Sequence, residues 1–225
     1  MKGIVLSALV LLCFVAFGQD TETRSVGSFR GVKAQEAIDV YLKKGTKEEV
    51  KIEASGVATS EVLTELSGDY LKIHMKDGRY RNKTVKVYVT YVQLNKVSVS
   101  SAATIYHDGV LKTDKLELNA SSAGNMEMQI EANTLQAEAS SAAEIEITGN
   151  AKKAYLDASS AGEIDAFDLL TETVTADASS AGDIKVSVRT ELNAEASSGG
   201  SIRYRGNPDK SNTHASSGGS VRKSN

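Results

Sequence analysis

Serine is the residue this chain offers most often as a possible nucleophile. It comes in pairs that begin at Ser100, Ser121, Ser140, Ser159, Ser179, Ser197 and Ser216, each pair followed by two small residues. A serine nucleophile needs a base within hydrogen-bond reach. The 3 histidines, His74, His107 and His214, do not recur with the pairs. Seven identical nucleophiles would have no use, so the pairs read as structure, and no catalytic residue is assigned. The turn residues expected from them are Ser121, Ser122 and Gly124; Ser159, Ser160 and Gly162; Ser179, Ser180 and Gly182; and Ser197, Ser198 and Gly200. Carboxylates are the second chemical candidate. Glu144, Glu163 and Asp183 stand four residues after the first serine of a pair, and Glu146 and Asp165 stand six after. Stacked in register, they could hold calcium, which takes oxygen ligands. A solvated acidic face with modest like-charge strain is the simpler reading, so no metal and no cofactor is assigned. The only cysteine is Cys13, inside an apolar leader, which removes thiol nucleophiles, zinc thiolates and CxxC redox chemistry from the mature chain.

The elements that must position these residues follow from the spacing. Successive pairs begin 21, 19, 19, 20, 18 and 19 residues apart. A near-constant period of this length predicts a solenoid, each repeat one coil stacked on the last. Counting from the first serine, apolar residues fall at odd offsets: Leu135, Ala137 and Ala139 before Ser140, then Ile145 and Ile147 after it. Even offsets are mostly polar, as at Glu138, Glu144 and Glu146. Strict alternation means strands with one buried face. The expected coil is two short strands joined by a tight bend at Ser-Ser-small-small, then a less regular return. Coils stack as parallel strands about 4.8 Å apart. Glycines such as Gly162 are expected to supply backbone angles that other residues resist. If parity holds through the bend, the second serine faces inward and needs a backbone carbonyl or the next coil's serine as partner; otherwise the serines are there for their size.

The chain opens with Lys2, an apolar run from Ile4 to Phe17, and the small-x-small site Ala16-Phe17-Gly18. This predicts a secretory signal peptide over residues 1–18. The run is shorter than the ~20 residues of a spanning helix, and no second run could cross a bilayer. A lipoprotein site at Cys13 would need a small residue where Leu12 stands. The net charge of −3 gives no basic surface for nucleic acid.

Residues 19–92 lack the serine period and are expected to form a β-rich region capping the solenoid of residues 93–225. The segments 37–42, 50–53, 70–75 and 85–91 alternate as strands. Thr59 to Leu66 reads as a short helix or turn with Ser60 as cap. A bare terminal coil would expose unpaired backbone, which invites aggregation; at the far end Arg222 and Lys223 put charge on the last coil.

With these residues laid out, the chain resembles the auto-transporter adhesin head domain family, also called the head GIN domain. The leader, the opening Phe29-Arg30-Gly31-Val32 with Ala37-Ile38-Asp39-Val40-Tyr41-Leu42, and the array of Ser-Ser-Ala-Gly turns carry the resemblance. It implies an all-β fold, a right-handed parallel β-helix like that of pectin lyases. It also implies an exported protein of Bacteroidetes-like bacteria, periplasmic, outer-membrane-associated or extracellular, with a role in adhesion. The family motif brings no catalytic residue. The expected function is a non-enzymatic binding or structural module of the cell envelope, its partner a protein or a glycan, self-association included. The alternative is a polysaccharide-active lyase or hydrolase with a carboxylate-bound calcium. Against it, aromatic platforms for sugars are few on the coils: after Tyr106, only Tyr155, Tyr204 and Phe167.

Overall fold

Period-2 alternation makes each coil a strand with one buried face, and a parallel neighbour satisfies its backbone. The computed structural model describes residues 20–224; the expected leader over residues 1–18, with Cys13, lies outside the described residues. Sixteen strands form one sheet wound into a β-solenoid of about seven turns. They are β1 (Asp20–Ser25), β2 (Gly31–Ala34), β3 (Asp39–Lys44), β4 (Glu49–Ser55), β5 (Val62–Ser67), β6 (Tyr70–Met75), β7 (Thr84–Tyr91) and β8 (Lys96–Val99). Then come β9 (Thr104–Ala120), β10 (Asn125–Ser140), β11 (Glu144–Ser159), β12 (Glu163–Ala178), β13 (Asp183–Ala196), β14 (Ser201–Arg205), β15 (Lys210–Ala215) and β16 (Ser220–Lys223).

The return is more regular than expected. From β9 to β13 each coil is one long strand that wraps both walls. The tight turn closes one side and a bulged corner closes the other. Length differences are absorbed at the corner. In the 21-residue step, Tyr106 pairs with Glu127 but Val110 with Gln129, so the extra residues lie around His107-Asp108-Gly109. A further shift separates Glu146 from Gly149 against β12. The turn side keeps its register in every coil.

Inside, like residues stack. Ile105, Met126, Ile145, Ile164, Ile184 and Ile202 form one fully buried column. Where Leu135 gives way to Ala154 along one column, its neighbour changes from Ala137 to Leu156, keeping the coil volume filled.

The turns correct the sequence reading at two points. The second serine and the residue after it are both left-handed, for example Ser122 (φ 51) with Ala123 (φ 57) and Ser160 (φ 50) with Ala161 (φ 60). Strict alternation belongs to extended backbone, and two left-handed residues break it. The second serines are therefore exposed, and there is no internal serine ladder among the described coils. The buried member is the fourth residue, Gly124, Gly162, Gly182 or Gly200, and its φ is not positive. Glycine is used there for close approach: a Cβ on Gly162 would lie 2.3 Å from the Ala139 carbonyl oxygen. Each turn closes through its own bond, as Gly162 N–H to Ser159 O at 2.9 Å, and joins the next coil, as Ala161 N–H to Ser180 O at 3.1 Å.

The N-terminal third holds the same turn in other residues. Glu36 (φ 67) and Ala37 (φ 54) are left-handed, and Ala37 N–H donates to Ser101 O at 2.9 Å. Strands β2 and β3 thus form a coil parallel to β8 and β9. Beyond it, β6 and β7 stack in parallel on β2 and β3, although they come later in the chain. The stack ends in antiparallel strands: β4 on β7, β1 on β4, and β5 on β6. Of the helix expected from Thr59 to Leu66, only Thr59–Glu61 is helical, a single 3-10 turn whose N-cap is Ala58 rather than Ser60. The rest of the expected helix is β5, because Val62 and Thr64 gain sheet partners in Met75 and Ile73. Arg24 clasps the two end strands: its guanidinium donates to Val62 O (2.7 Å), Thr59 O (3.0 Å) and Thr64 Oγ1 (3.1 Å), and meets Glu22 at 2.8 Å.

Candidate functional site

Parallel stacking turns each outward offset into a column, so the expected carboxylates come together as the period requires. Glu144, Glu163 and Asp183 are register neighbours, as are Glu146, Asp165 and Lys185. They do not form an acidic bowl. The Lys185 ammonium donates to Glu163 Oε1 at 2.7 Å and to Asp165 Oδ2 at 2.9 Å, and Arg203 donates to Asp183 Oδ2 at 2.7 Å. Those two carboxylates hold the lysine pKa above its ordinary value. Among the described residues no cluster of three or more His, Asp or Glu side chains is placed to hold a metal.

The opposite wall carries a more acidic column. Glu138, Asp157, Asp177 and Glu195 lie in register on four successive coils, with His214 next. No lysine or arginine reaches them among the described residues. Burial, then the facing Glu138, raises the Asp157 carboxyl pKa; burial, then Glu195 and Asp157, raises that of Asp177. Nearer the N-terminus the first wall carries stacked tyrosines: Tyr41 lies 5.1 Å from Tyr88 and 5.2 Å from Tyr106, centroid to centroid. Lys51 covers the far face of Tyr88, so that end of the stack offers no open ring face.

Among the described residues no histidine or lysine is hydrogen-bonded to a serine hydroxyl. Ser100 Oγ accepts from Gln35 Nε2 at 3.1 Å. His107 is bound elsewhere: its Nδ1–H donates to Gly109 O (3.0 Å), leaving Nε2 to accept the Tyr91 hydroxyl at 2.6 Å. Burial lowers the His107 pKa and pushes the Tyr91 phenol up to about 12, so both are neutral near pH 7.

A concave surface runs along the bulged corner, where coil lengths differ. Three depressions adjoin there. The first, about 440 Å³, spans five coils from Lys112 through Asn133 and Asn150 to Thr171 and Arg189. It shares Lys112 and Thr113 with a second, of about 300 Å³, which shares Arg30 and Gln93 with a third, of about 480 Å³. Amides, hydroxyls and charges of both signs line the groove. Lys112 pairs with Glu131 at 2.5 Å, and Asn133 donates to Asp114 at 2.6 Å. Leu170, an exposed large apolar residue, lies on its lining. Sequence reasoning missed these residues because it followed the period, and the groove lies where the period is broken. The signal was there in the unequal steps.

Residues 28–208 match the family described as "Putative auto-transporter adhesin, head GIN domain". No curated protein matches the chain. Among solved structures the chain is similar to a "putative adhesin" from Bacteroides fragilis NCTC 9343, with 20% identity, a TM-score of 0.84, and 93% of this chain and 98% of that chain covered. It is similar to a "putative adhesin" from Parabacteroides distasonis ATCC 8503 (19% identity, TM-score 0.74, 92% and 97% covered). A "putative lipid binding protein" from the same organism has 22% identity and a TM-score of 0.69, with 92% and 97% covered. At these identities the likeness is one of fold.

Proposed function

The chain belongs to the head GIN domain family of auto-transporter adhesins, and we propose that it is a non-enzymatic binding module of the bacterial cell envelope. On this reading it grips an extended polar polymer, a glycan, in the groove along its bulged corner. The observation that carries the reading is the groove itself. It crosses successive coils, so it offers an elongated ligand repeated contacts, and amides and hydroxyls such as Asn133, Asn150 and Thr113 suit sugar hydroxyls. Repeated weak contacts along a rigid rod suit adhesion. The reading of a calcium-dependent polysaccharide enzyme lacks comparable support, since Lys185 and Arg203 already engage Glu163, Asp165 and Asp183.

Export rests on the leader expected over residues 1–18. No helix among the described residues is long and apolar enough to cross a membrane. Two measurements test the proposal. Protease added to intact cells should remove the protein if it stands on the surface; survival there with loss after outer-membrane permeabilisation assigns it to the periplasm, and a cytoplasmic pool alone overturns the envelope assignment. On an oligosaccharide array the purified protein should retain extended glycans without altering their length. Cleavage products, or retention of peptides alone, would overturn the reading as a glycan-binding module.

A further inference from the structure

The middle depression of the groove differs in charge from its neighbours. Arg30, Lys44 and Lys112 line it, and no carboxylate does. The whole chain has 29 acidic against 26 basic residues, so a pocket with cations only is a local departure. The three cations come from different parts of the fold: Arg30 precedes β2, Lys44 ends β3, and Lys112 lies in β9. Lys112 is paired with Glu131, but the side chains of Arg30 and Lys44 have no partner among the described residues. Like charges brought together without a counter-charge cost free energy, which an anion recovers.

Two further side chains point to a ligand. Asn95 lines the same pocket, and its buried Oδ1 has no hydrogen-bond partner. A buried acceptor left unpaired is costly, and turning the amide oxygen toward the pocket would give it a ligand hydroxyl as partner. Tyr91 forms a fixed wall, its hydroxyl held by His107 at 2.6 Å. As a neutral phenol it offers no charge against an anion.

We infer that this pocket is an anion subsite within the groove, seating the oxyanion of an acidic sugar between Arg30 and Lys44, with Asn95 meeting an adjacent hydroxyl. The inference rests on the proposed reading of the groove as a glycan site and names the class of glycan it selects. The guanidinium fork of Arg30 suits a carboxylate or a phosphate, both of which accept bidentate bonds. Its pocket volume of about 300 Å³ lies at the small end of ligand sites, the size of one unit rather than a chain. The flanking depressions carry the rest of the polymer.

The test is titration calorimetry on the mature protein with four probes: a hexameric oligouronate, a neutral hexasaccharide, inorganic phosphate, and anionic phospholipid vesicles. The oligouronate should bind best, and more weakly as salt rises. Arg30→Gln with Lys44→Gln should weaken it about tenfold or more while leaving the neutral probe unchanged. Asn95→Leu should weaken both sugar probes less. Melting temperatures of the variants within a few degrees of the parent show that the fold is intact. Lys47→Gln, a lysine outside the pocket, controls for overall charge and should not change binding. Equal affinity for acidic and neutral hexasaccharides would overturn the anion subsite and leave the glycan groove standing. Phosphate or vesicle binding without oligosaccharide binding would overturn the acidic sugar as ligand. No binding of any sugar would overturn both.

Discussion

At the scale of single residues, each turn sets two demands side by side. Ala161 is left-handed, where a Cβ costs about 1–2 kcal/mol. Gly162 is not left-handed, but a Cβ there would meet the backbone of the preceding coil. The chain itself places glycine at the first position in Gly199 and Gly218. Ala161→Gly should therefore melt at or above the parent, and Gly162→Ala below it by about 1–3 kcal/mol, the usual range for overpacking. Chemical denaturation of the two variants gives the ranking, and the opposite order would mean that the turn geometry is misread. Asp157 carries a different strain. Its pKa is raised by burial and by Glu138, so the folded chain holds its proton more tightly than the unfolded chain. The proton-linked stability is fully present below the ordinary carboxylate pKa and is lost as pH rises through the folded value. Asp157→Asn should accordingly stabilise the protein at pH 7, by about 0.2–1 kcal/mol, and do nothing at pH 3. An equal gain at both pH values would remove the like-charge column as its cause.

Among the elements, the two ends of the solenoid are built differently. Parallel coils cannot terminate themselves, since the last one exposes a row of unpaired groups. At the N-terminal end β1, β4 and β5 reverse direction, and Arg24 ties β1 to the 3-10 turn and β5. At the C-terminal end β15 and β16 pair with no further strand among the described residues; β15 is exposed throughout and opens on Lys210. Arg24→Met should release the clasp, losing charge-assisted bonds of roughly 1.5–3 kcal/mol each before solvent screening. Hydrogen exchange should quicken in β1 and β5 and stay unchanged in β10 to β12. Uniform acceleration would mean that the clasp supports the whole fold rather than its end. The same contact has a pH signature. The Arg24 hydrogen bond lowers the Glu22 pKa to about 2, so its contribution is present above the usual carboxylate range and fades as pH falls towards 2.

The whole molecule is a rod with two flat walls, one regular edge and one irregular edge. The walls are chemically zoned. Along one column the outward residues run Tyr88, Tyr41, Tyr106, then Glu127, Glu146, Asp165, then Lys185, Arg203, Arg222. Because Lys185 neutralises the carboxylates nearest it, calcium should have no special hold on this wall. Calcium chloride and sodium chloride at matched ionic strength should shift the melting temperature alike, through screening. A calcium-specific rise, lost in Glu163→Gln with Asp165→Asn, would reinstate a metal site and the enzyme reading with it. The irregular edge is the one that can vary without disturbing the stack, and the groove lies there.

The sequence by itself determined the solenoid, the alternation of inward and outward residues along both walls, and the columns in which Glu144, Glu163 and Asp183 meet. These follow from local periodicity, because an extended chain has no choice about which side every second residue faces. The same rule could not reach through the turns. There Ser160 and Ala161 leave the extended region, and only the folded backbone shows that the serine points out and that Gly162 meets Ala139. Nor could it find the coil at Glu36-Ala37, since exposed turn positions place little demand on residue type. The signal that remained was Ala34, Ile38, Val40 and Leu42 at the same offsets as in the serine coils. Tertiary structure alone placed β6 and β7 outside β2 and β3, and gathered Arg30, Lys44, Asn95 and Lys112 around one pocket. Those positions depend on how many residues each corner absorbs and on strands that pair out of chain order, which are properties of the stack and not of any stretch of chain within it.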